Sequence, residues 1–380
     1  SVFSALYSVP VCFAAAGTSP FVMANPQIGL HFPRRNAMLV PLKNCFSGIF
    51  VCVQTGSSLS ACENAEKYPS LGLKKKGESA PGGAQTKMGK SYDVMVIGPV
   101  SLDCNIDHLG NERREVGGAV VASGFAAAGS GAKTAIFCKL NPEEADLSER
   151  FDGIAADLYW KPSVHTCSIR NQYFTADKEK RQCTSLGVCD PFRFDELPDV
   201  QTAVYHFAGL VYGDFDGALL EAASRHGKVG LDVQCMLRHV EPDKSMAFHD
   251  WADKKQYLPM IDYLKTDAAE AEILTGLTDR AAAARLLHEW GAREVVITHN
   301  TEVLAYDGET IYTCPIKARN LSGRTGRGDT TFAGYIVERQ QAGVEEALRY
   351  CTALVSLKME TPGPFRGTRQ DVLDYMKEFY

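Results

Sequence analysis

Strand-like and helix-like runs alternate along the chain from Tyr92 onward. The β-rich run YDVMVIG ends at Gly98, the small-residue run VVASGFAAAGSGA indicates a helix that ends near Gly131, and KTAIFCKL indicates the next strand. The same alternation returns later in RAAAARLLHEWGA and REVVITH. Strands that alternate with helices imply βαβ units, in which parallel strands form one sheet and helices cover both of its faces. The pattern therefore predicts an α/β fold of three layers with a mostly parallel central sheet.

Two segments depart from this alternation. Residues 104–116 (CNIDHLGNERREV) and residues 163–185 (SVHTCSIRNQYFTADKEKRQCTS) alternate polar and apolar residues between turn signals. A period of two residues is typical of strands that have one solvated face. These segments predict antiparallel strands of a small accessory sheet beside the main one.

Residues 1–87 differ from the rest of the chain. They show no sustained helical or strand period, and they end in the linker-like run YPSLGLKKKGESAPGGAQTK. They carry eight Lys and Arg against three Asp and Glu, whereas the remainder carries 32 against 43. The first residue is Ser1, which suggests a fragment or an over-extended reading frame, and Met88 opens a natural domain start. We expect residues 1–87 to be a disordered or non-native extension and residues 88–380 to be one domain.

A secretory interpretation of the extension stays open. The stretch from Met38 to Cys62 contains a short apolar run and ends in LSAC, as lipoprotein signals do. That run is interrupted, whereas the apolar cores of signal peptides run about 7–15 residues. No run in the chain approaches the ~20 apolar residues of a membrane-spanning helix.

Composition narrows the class of protein further. Hydrophobic residues make up 45% of the 380 residues and charged residues 23%, which suits a globular protein with a large core. The formal net charge of -6 argues against a nucleic-acid partner, because phosphate binding relies on a basic surface. The 12 cysteines form no CxxC pair and no zinc-like Cys/His spacing, so we expect reduced and mostly buried thiols. These features predict a cytoplasmic protein with neither a membrane nor a nucleic acid as partner.

The run SGRTGRGDTTFAGYI places glycines directly before a helical pattern. Gly326 and Gly328 would let a phosphate approach the backbone, and the amides at a helix start favour an anion there. A carboxylate in that turn, Asp329, can accept a proton from an attacking hydroxyl group. Two plainer interpretations stay open. Asp329 could be the N-cap of the helix, or Arg327-Gly328-Asp329 could be an exposed adhesion-type loop.

Polar residues also follow the predicted strands. In an open α/β sheet, ligands bind outside the carboxyl ends of the strands. The residues at those ends are Asp103, Asp232, Asp267 and Thr298. Asp103 follows a Gly-Pro break, which favours a ligand role over burial, and Asp107 could serve in its place. Asp232 has a structural alternative as a cap of the next loop.

The motifs together resemble a known family. GRTGRGDTTFAGYI resembles the C-terminal signature of the ribokinase/PfkB carbohydrate kinases, whose glycine turn carries the catalytic base, here Asp329. DVMVIGPVSLD resembles the family's first strand, which ends in a substrate-binding aspartate, here Asp103. GGAVVASGFAAAGSGAKTA is similar to its di-glycine motif, here Gly117 and Gly118. The order of the motifs matches over about residues 92–380.

Further motifs extend the resemblance to the rest of the substrate and nucleotide sites. GLDVQCMLR is similar to a substrate-binding stretch of the family, and KTDAAEAEILTG is similar to its magnesium motif. VVITHNTEVLAYDG resembles the segment beneath ATP, and ALVSLKMETPGPF resembles the segment beside the adenine. The residues implied for the substrate are Asp232, Gln234 and Arg238. Those implied for ATP are Asp267, Thr298, Asn300, Lys358 and Gly363. Glu270 is implied to act on magnesium indirectly, and its alternative is a first-turn acid that matches the helix dipole.

The resemblance implies a fold and an activity. The fold would be ribokinase-like, with the two accessory segments forming a β-sheet lid. The activity would be ATP- and Mg²⁺-dependent phosphorylation of a hydroxyl group of a sugar, polyol or nucleoside. The amides from Gly326 to Gly328, together with Arg327, would form the anion hole, and Asp329 would be the base. The lid would also allow a homodimer.

Several positions depart from the family pattern. Arg327 replaces the alanine between the two turn glycines, and Gly323 replaces an aspartate that helps bind a monovalent cation in several members, which argues against potassium activation. Asn300 and Val303 replace glycines of the nucleotide loop, and Ala122 replaces a substrate-binding asparagine. An alternative function is therefore a PfkB-like protein that has lost catalysis and acts as a binding or scaffold module. A dehydrogenase is disfavoured, because VIGPVSLD lacks the GxGxxG of dinucleotide-binding folds.

Overall fold

The computed structural model describes residues 89–175 and 181–380. The predicted extension, residues 1–87, lies outside the described residues. The described part contains a large central sheet, helices on both of its faces and a small separate sheet. The α/β fold class predicted from the sequence is confirmed.

The strands follow one another in the order of the predicted βαβ units. They are β1 (Ser91–Pro99), β2 (Ser101–Ile106), β3 (Glu112–Gly117), β4 (Thr134–Leu140), β5 (Ala156–Pro162), β6 (Ser168–Tyr173), β7 (Arg181–Gly187), β8 (Gln201–Phe207), β9 (Lys228–Asp232), β10 (Arg238–Val240), β11 (Met246–Phe248), β12 (Tyr263–Asp267), β13 (Glu294–Thr298), β14 (Glu302–Tyr306) and β15 (Ile311–Pro315).

The central sheet of the described part has nine strands in the order β15-β14-β13-β12-β9-β8-β1-β4-β5. The seven strands from β13 to β5 pair in parallel, and β14 and β15 continue the sheet in antiparallel fashion. Val94–Ile97 in β1 and Val295–Ile297 in β13 are buried without alternation. Continuous burial is expected for parallel strands that are covered on both faces.

The helices form a layer on each face of this sheet. They are α1 (Ala119–Gly129), α2 (Leu147–Arg150), α3 (Gly217–Ser224), α4 (Gln234–Leu237), α5 (Lys254–Tyr257), α6 (Ala268–Thr275), α7 (Arg280–Glu289), α8 (Arg327–Glu338), α9 (Val344–Met359) and α10 (Arg369–Phe379). Helices α1, α8, α9 and α10 pack against one another in one layer, whereas α6 packs on α7 elsewhere. Within the described ranges, no helix has both the length and the apolar character needed to cross a membrane.

The small sheet has the order β3-β2-β6-β7 and comes from the two segments that break the alternation. Strand β2 begins two residues after β1 ends, so this sheet is attached directly to the carboxyl end of the central strand β1. The pairs β2–β3 and β6–β7 are antiparallel, as expected. Strands β2 and β6 pair in parallel, because each follows a parallel strand of the main sheet, β1 and β5, and leaves that sheet in the same direction.

The cysteines of the described part are free thiols. Seven of these eight are buried, and Cys183 is partly exposed. The expectation of mostly buried thiols is confirmed for these residues, and their reduced state stays a prediction.

Candidate active site

Helix α8 begins directly after the glycine turn. Its N-cap is Gly326, whose φ of 76° lies in the left-handed region that glycine adopts without strain. Glycine has no side chain to cap the helix, so the first-turn amides remain available to an anion. Asp329 is the third residue of the helix, so its interpretation as the N-cap is wrong. Arg327, Gly328 and Asp329 form the first turn of this partly buried helix, which does not fit an exposed adhesion loop.

A cleft of about 740 Å³ opens at this helix terminus. Its walls come from the small sheet, from the segment after β9 and from the turn before α8. The predicted site residues that line it are Asp103, Gly117, Gly118, Gln234, Arg238, Gly326, Asp329 and Gly363. Residues from four distant parts of the sequence therefore meet in one cavity, and the small sheet forms one of its walls.

Asp103 lies in β2 on the wall that the small sheet contributes. Burial raises the pKa of its carboxyl group to about 6, although the positive charges of Arg238 and Arg181 oppose that shift. Its Oδ1 atom is buried and has no hydrogen-bond partner within the described residues, and the same is true of Nε of Arg238. Buried polar atoms are normally hydrogen-bonded. An unpaired acceptor and an unpaired donor in one cleft therefore indicate a site for a hydroxylated ligand.

Gly118 must be glycine for the chain to enter α1. Its φ is 108°, and a Cβ atom there would lie 2.8 Å from the carbonyl oxygen of Pro99. The backbone of the di-glycine motif consequently lies against the end of β1, at the edge of the cleft. Asp107 is exposed in the β2–β3 turn, where its carboxylate accepts hydrogen bonds from the amides of Leu109 and Asn111. Those contacts are typical of a turn residue, and Asp107 does not line the cleft.

Asp232 lies behind the cleft in a buried cluster of charges. Both of its carboxylate oxygens accept hydrogen bonds from Nζ of Lys265, at 3.1 and 3.0 Å. The ammonium group also lies 3.8 Å from Oε2 of Glu270. Burial would lower the pKa of Lys265, but the carboxylates of Asp232 and Glu270 raise it above its ordinary value. Sequence reasoning missed Lys265, although a lysine inside the strand run YLKTD was a visible signal.

Glu270 has a second set of contacts at the start of α6. Its carboxylate accepts a hydrogen bond from the amide of Asp267 at 2.7 Å, and the Asp267 side chain accepts one from the amide of Glu270 at 2.8 Å. This reciprocal capping box accounts for the spacing of the two residues. Burial raises the pKa of Glu270 to about 7, with Lys265 opposing the shift. Thr298 ends β13 directly beside Asp267, its partner in the sheet.

The remaining predicted residues lie around the turn before α8. The guanidinium group of Arg327 donates a hydrogen bond to the side-chain oxygen of Asn300. Lys358, near the end of α9, donates from Nζ to the carbonyl oxygen of Gly323 at 2.5 Å and to that of Thr325. Burial lowers the pKa of Lys358 to about 8, and the charge of Asp329 opposes that shift. These contacts join the nucleotide-loop and α9 positions to the glycine turn.

Asp329 has a pKa that suits proton transfer. Burial and the nearby carboxylate of Asp232 raise its pKa to about 6, while the cations of Lys265, Arg238 and Lys358 limit the shift. A carboxylate with this pKa is ionised at neutral pH and is still basic enough to accept a proton. The glycine turn therefore places the amides of a helix start and a basic carboxylate together in one cleft, an arrangement that is compatible with phosphoryl transfer to a hydroxyl group.

Comparison with known proteins gives the same result. The family model described as pfkB family carbohydrate kinase matches residues 166–369. A solved pyrophosphate-dependent kinase of the ribokinase family, described as complexed with a pyrophosphate analogue and myo-inositol, is 30% identical, with a TM-score of 0.68 over 74% of this chain and 99% of that chain. A cytidine kinase of Thermococcus kodakarensis is 25% identical over 64% of this chain and 87% of its own length.

A more distant solved structure supports the fold alone. The ribokinase of Arabidopsis thaliana, described as complexed with ribose and ATP, has a TM-score of 0.57 at 16% identity and covers 76% of this chain and 99% of that chain. The ribokinase-like fold with a small β-sheet, expected from the resemblance, is confirmed. With a family model that matches more than half of its residues, this chain belongs to the pfkB family of carbohydrate kinases.

Proposed function

We propose that this kinase transfers a phosphoryl group from ATP to a hydroxyl group of a small polyol or sugar, with Asp329 as the general base. The position of Asp329 carries the proposal. It lies in the first turn of α8, it lines the acceptor cleft, and its pKa is raised to about 6. Asp329 would take the proton of the attacking hydroxyl group while the amides from Gly326 to Gly328 stabilise the charge on the transferred group.

The other site residues have complementary roles in this proposal. Asp103, Gln234 and Arg238 bind and orient the acceptor from the walls of the cleft. Gly117 and Gly118 let the acceptor approach the backbone. The small sheet acts as a lid that covers the cleft and excludes water. Water in the cleft would otherwise hydrolyse the donor. Asp232 acts through Lys265, whose ammonium group it binds directly beneath the glycine turn.

The lining of the cleft favours a polyol or sugar over a nucleoside. The unpaired Oδ1 of Asp103 and Nε of Arg238 can accept from and donate to hydroxyl groups. Among the described residues that line the cleft, none is aromatic, whereas proteins commonly bind a nucleobase by stacking it on an aromatic ring. The 30% identical kinase that was solved with myo-inositol supports the same class of acceptor. A cyclic polyol is therefore the first acceptor to test, and a nucleoside is the second.

Magnesium fits this site as an ion bound mainly through phosphate. Within the described part of the chain, no three His, Cys, Asp or Glu side chains converge as a metal site. Mg²⁺ in kinases usually keeps several waters and binds through one or two carboxylates and the donor phosphates. Glu270 would act on it indirectly, because its carboxylate already contacts the Asp267 amide and Lys265. The ion would neutralise phosphate charge as the transferred group leaves the donor.

Pyrophosphate is a second candidate donor. The 30% identical kinase is described as pyrophosphate-dependent, and the glycine turn of this chain carries a guanidinium group at Arg327 that suits a highly charged leaving group. Asp267, Thr298, Asn300 and Gly363 would contact the donor in either case. An experiment must distinguish ATP from pyrophosphate as the donor, because both present the same transferred phosphoryl group to the turn.

The test is a matrix of acceptors and donors. Purified protein is incubated with Mg²⁺ and either ATP or pyrophosphate, against myo-inositol, a panel of sugars and polyols, and cytidine, and the phosphorylated product is detected by mass spectrometry. A phosphorylated polyol or sugar would support the proposal. A phosphorylated product with cytidine alone would show that the acceptor is a nucleoside and not a polyol or sugar. Ligand binding by thermal shift without product in any well would favour the binding or scaffold alternative.

Domain extent and assembly are proposals of the same kind. We propose that residues 88–380 form a kinase domain and that two copies associate through the lid. The lid strand β7 exposes Leu186, and Phe174 lies exposed just after β6. Large apolar side chains that are exposed on the lid could be covered by a second copy of the chain. Light scattering on the parent and on a Leu186→Lys variant tests this assembly, which would be excluded by a monomeric parent.

A further inference from the structure

Lys358 is a buried lysine that borders the glycine turn and does not itself line the acceptor cleft. It lies one residue before the end of α9, and its side chain is 3% exposed. Its ammonium group donates to the carbonyl oxygens of Gly323 and Thr325, at 2.5 Å for Gly323. Two carbonyl oxygens from one short loop therefore point at a single positive charge.

The contacts of Lys358 differ from those of a buried ion pair. Its hydrogen-bond acceptors at the turn are neutral carbonyl groups, and the carboxylate that acts on it through space is that of Asp329. Burying a charge is costly unless it is paired or well hydrogen-bonded. The two hydrogen bonds to carbonyl oxygens offset part of this cost, and they also fix the path of the chain into Gly326.

The loop itself is built around this charge. The amide of Gly323 donates to the carbonyl oxygen of Met359 at 2.7 Å, so the loop lies against the end of α9. A Cβ atom at Gly323 would lie 1.9 Å from the carbonyl oxygen of Thr361. No side chain at position 323 could therefore reach the charge in this conformation, and the backbone carbonyl groups take that place.

Resting on the function proposed above, we propose that Lys358 is a tethered monovalent cation that positions the anion-hole turn. Proteins bind free alkali cations with converging carbonyl oxygens, and a lysine ammonium group is a compact point charge on a flexible stem. Lys358 supplies that charge covalently. The reaction of this enzyme consequently does not depend on a free alkali cation, and Lys358 is a positioning residue that acts through the backbone of residues 323–326.

Chemical rescue tests the proposal directly. Lys358 also borders a surface groove of about 480 Å³, so a small cation can reach the space that a truncated side chain leaves. Activity of the full chain is measured in tetramethylammonium chloride, and then with potassium, ammonium or methylammonium chloride in its place at equal ionic strength.

The kcat of the parent should change less than about twofold between these salts. Lys358→Ala and Lys358→Met should lose kcat by about 10²-fold, the scale of a small misplacement at the reacting group, with the KM for the acceptor little changed.

The small cations should raise the kcat of Lys358→Ala by roughly tenfold or more. They should raise the kcat of Lys358→Met less, because the longer methionine side chain fills the space that the cation would occupy. The matched control is Lys139→Met. Lys139 is equally buried and also donates to a backbone carbonyl oxygen, that of Pro191 at 2.7 Å, but it is paired with Glu196 at 2.7 Å and lies outside the cleft. Its variant should lose thermal stability and show no response to the cations.

Three results would overturn the proposal: a parent that requires potassium, a Lys358→Ala variant with parental kcat, or a loss that no cation restores. A second readout separates this proposal from the kinase function. Inorganic sulfate should raise the melting temperature of the parent by binding the turn. Lys358→Ala should show that rise only with potassium or ammonium present. If the parent transfers no phosphoryl group, the proposed kinase function is wrong, but the effect of sulfate on the melting temperature still tests the role of Lys358. If Lys358→Ala does not fold, the dependence of the parent's activity on potassium tests that role instead.

Discussion

Asp329→Asn separates the chemical role of Asp329 from its structural role, because the two side chains have nearly the same size. The change removes the proton acceptor and leaves the glycine turn intact. A positioned general base contributes about 10²–10⁴-fold to the rate, so kcat should fall by that factor. At 1.36 kcal/mol for each factor of ten, the barrier rises by about 3–5 kcal/mol. Donor affinity should persist or improve, since a negative charge next to the transferred phosphate is gone.

The same substitution should stabilise the fold at neutral pH. The pKa of Asp329 rises from 3.8 to about 6 on folding, mainly through burial. The folded state therefore disfavours the ionised form, and stability is lost as the pH rises through that interval. At 1.36 kcal/mol per pKa unit the ionised carboxylate costs at most about 3 kcal/mol at pH 8. Asparagine avoids this cost, and its advantage should disappear below about pH 4, where Asp329 is protonated in both states.

The assay pairs kcat with chemical unfolding at pH 8 and pH 4. Asp371→Asn is the matched control, because Asp371 is also an acid in the first turn of a helix, α10, but its pKa is lowered by hydrogen bonds from Thr368. It should lose stability at pH 8 and keep its kcat. Parental kcat in Asp329→Asn would refute the base, and a loss of stability at pH 8 like that of the control would refute the electrostatic account. The pH profile of the parent should show kcat falling as the pH drops through about 6.

Three further predictions concern the turn and the domain. Arg327→Ala should raise the KM for the phosphoryl donor about tenfold, the loss of one charge-assisted contact, with acceptor KM unchanged; equal donor KM in steady-state kinetics would mean that Arg327 has a structural role, such as its contact with Asn300, and does not bind the donor. Gly328→Ala should lower kcat and melting temperature, because its Cβ atom would lie 3.2 Å from Nζ of Lys265, whereas Gly89→Ala, with no atom within 4 Å and outside any helix, should be silent. A chain that begins at Met88 should keep the melting temperature of the full chain, and insolubility of that product would show that residues 1–87 contribute to the fold.

The sequence predicted those features that depend on local patterns. Runs such as YDVMVIG and REVVITH correspond to β1 and β13, because a buried parallel strand needs a continuous apolar segment. The glycine turn and the start of α8 were predictable because only glycine suits the positive φ at Gly326. The segments 104–116 and 163–185 contribute to the small sheet for the same local reason, since their two-residue period is visible in the sequence.

Features that depend on distant contacts were not predictable in the same way. The antiparallel edge strands β14 and β15 pair only in the folded sheet, and their segment was interpreted as a strand and a nucleotide loop. The capping interpretation of Asp329 failed because Gly326, three residues earlier, takes the N-cap position. Lys265 escaped notice because its partner Asp232 is 33 residues away. The contact of Lys358 with Gly323 was not predicted because it spans 35 residues, and the assignment of Lys358 to ATP stays a prediction.

The pKa of Asp329 is therefore a property of the whole fold rather than of the glycine turn. Three cations reach it from separate elements: Lys265 from β12, Arg238 from β10 and Lys358 from α9. Without these cations, burial and the Asp232 carboxylate would raise its pKa further and favour the protonated form, which cannot accept a proton. An exposed carboxylate near 3.9 would be a weak base. The enzyme avoids both limits by enclosing Asp329 at the end of a cleft and setting positive charges behind it. Because each of those charges depends on a different strand or helix, the proposed base has this pKa only when the sheet, α8 and α9 are assembled together.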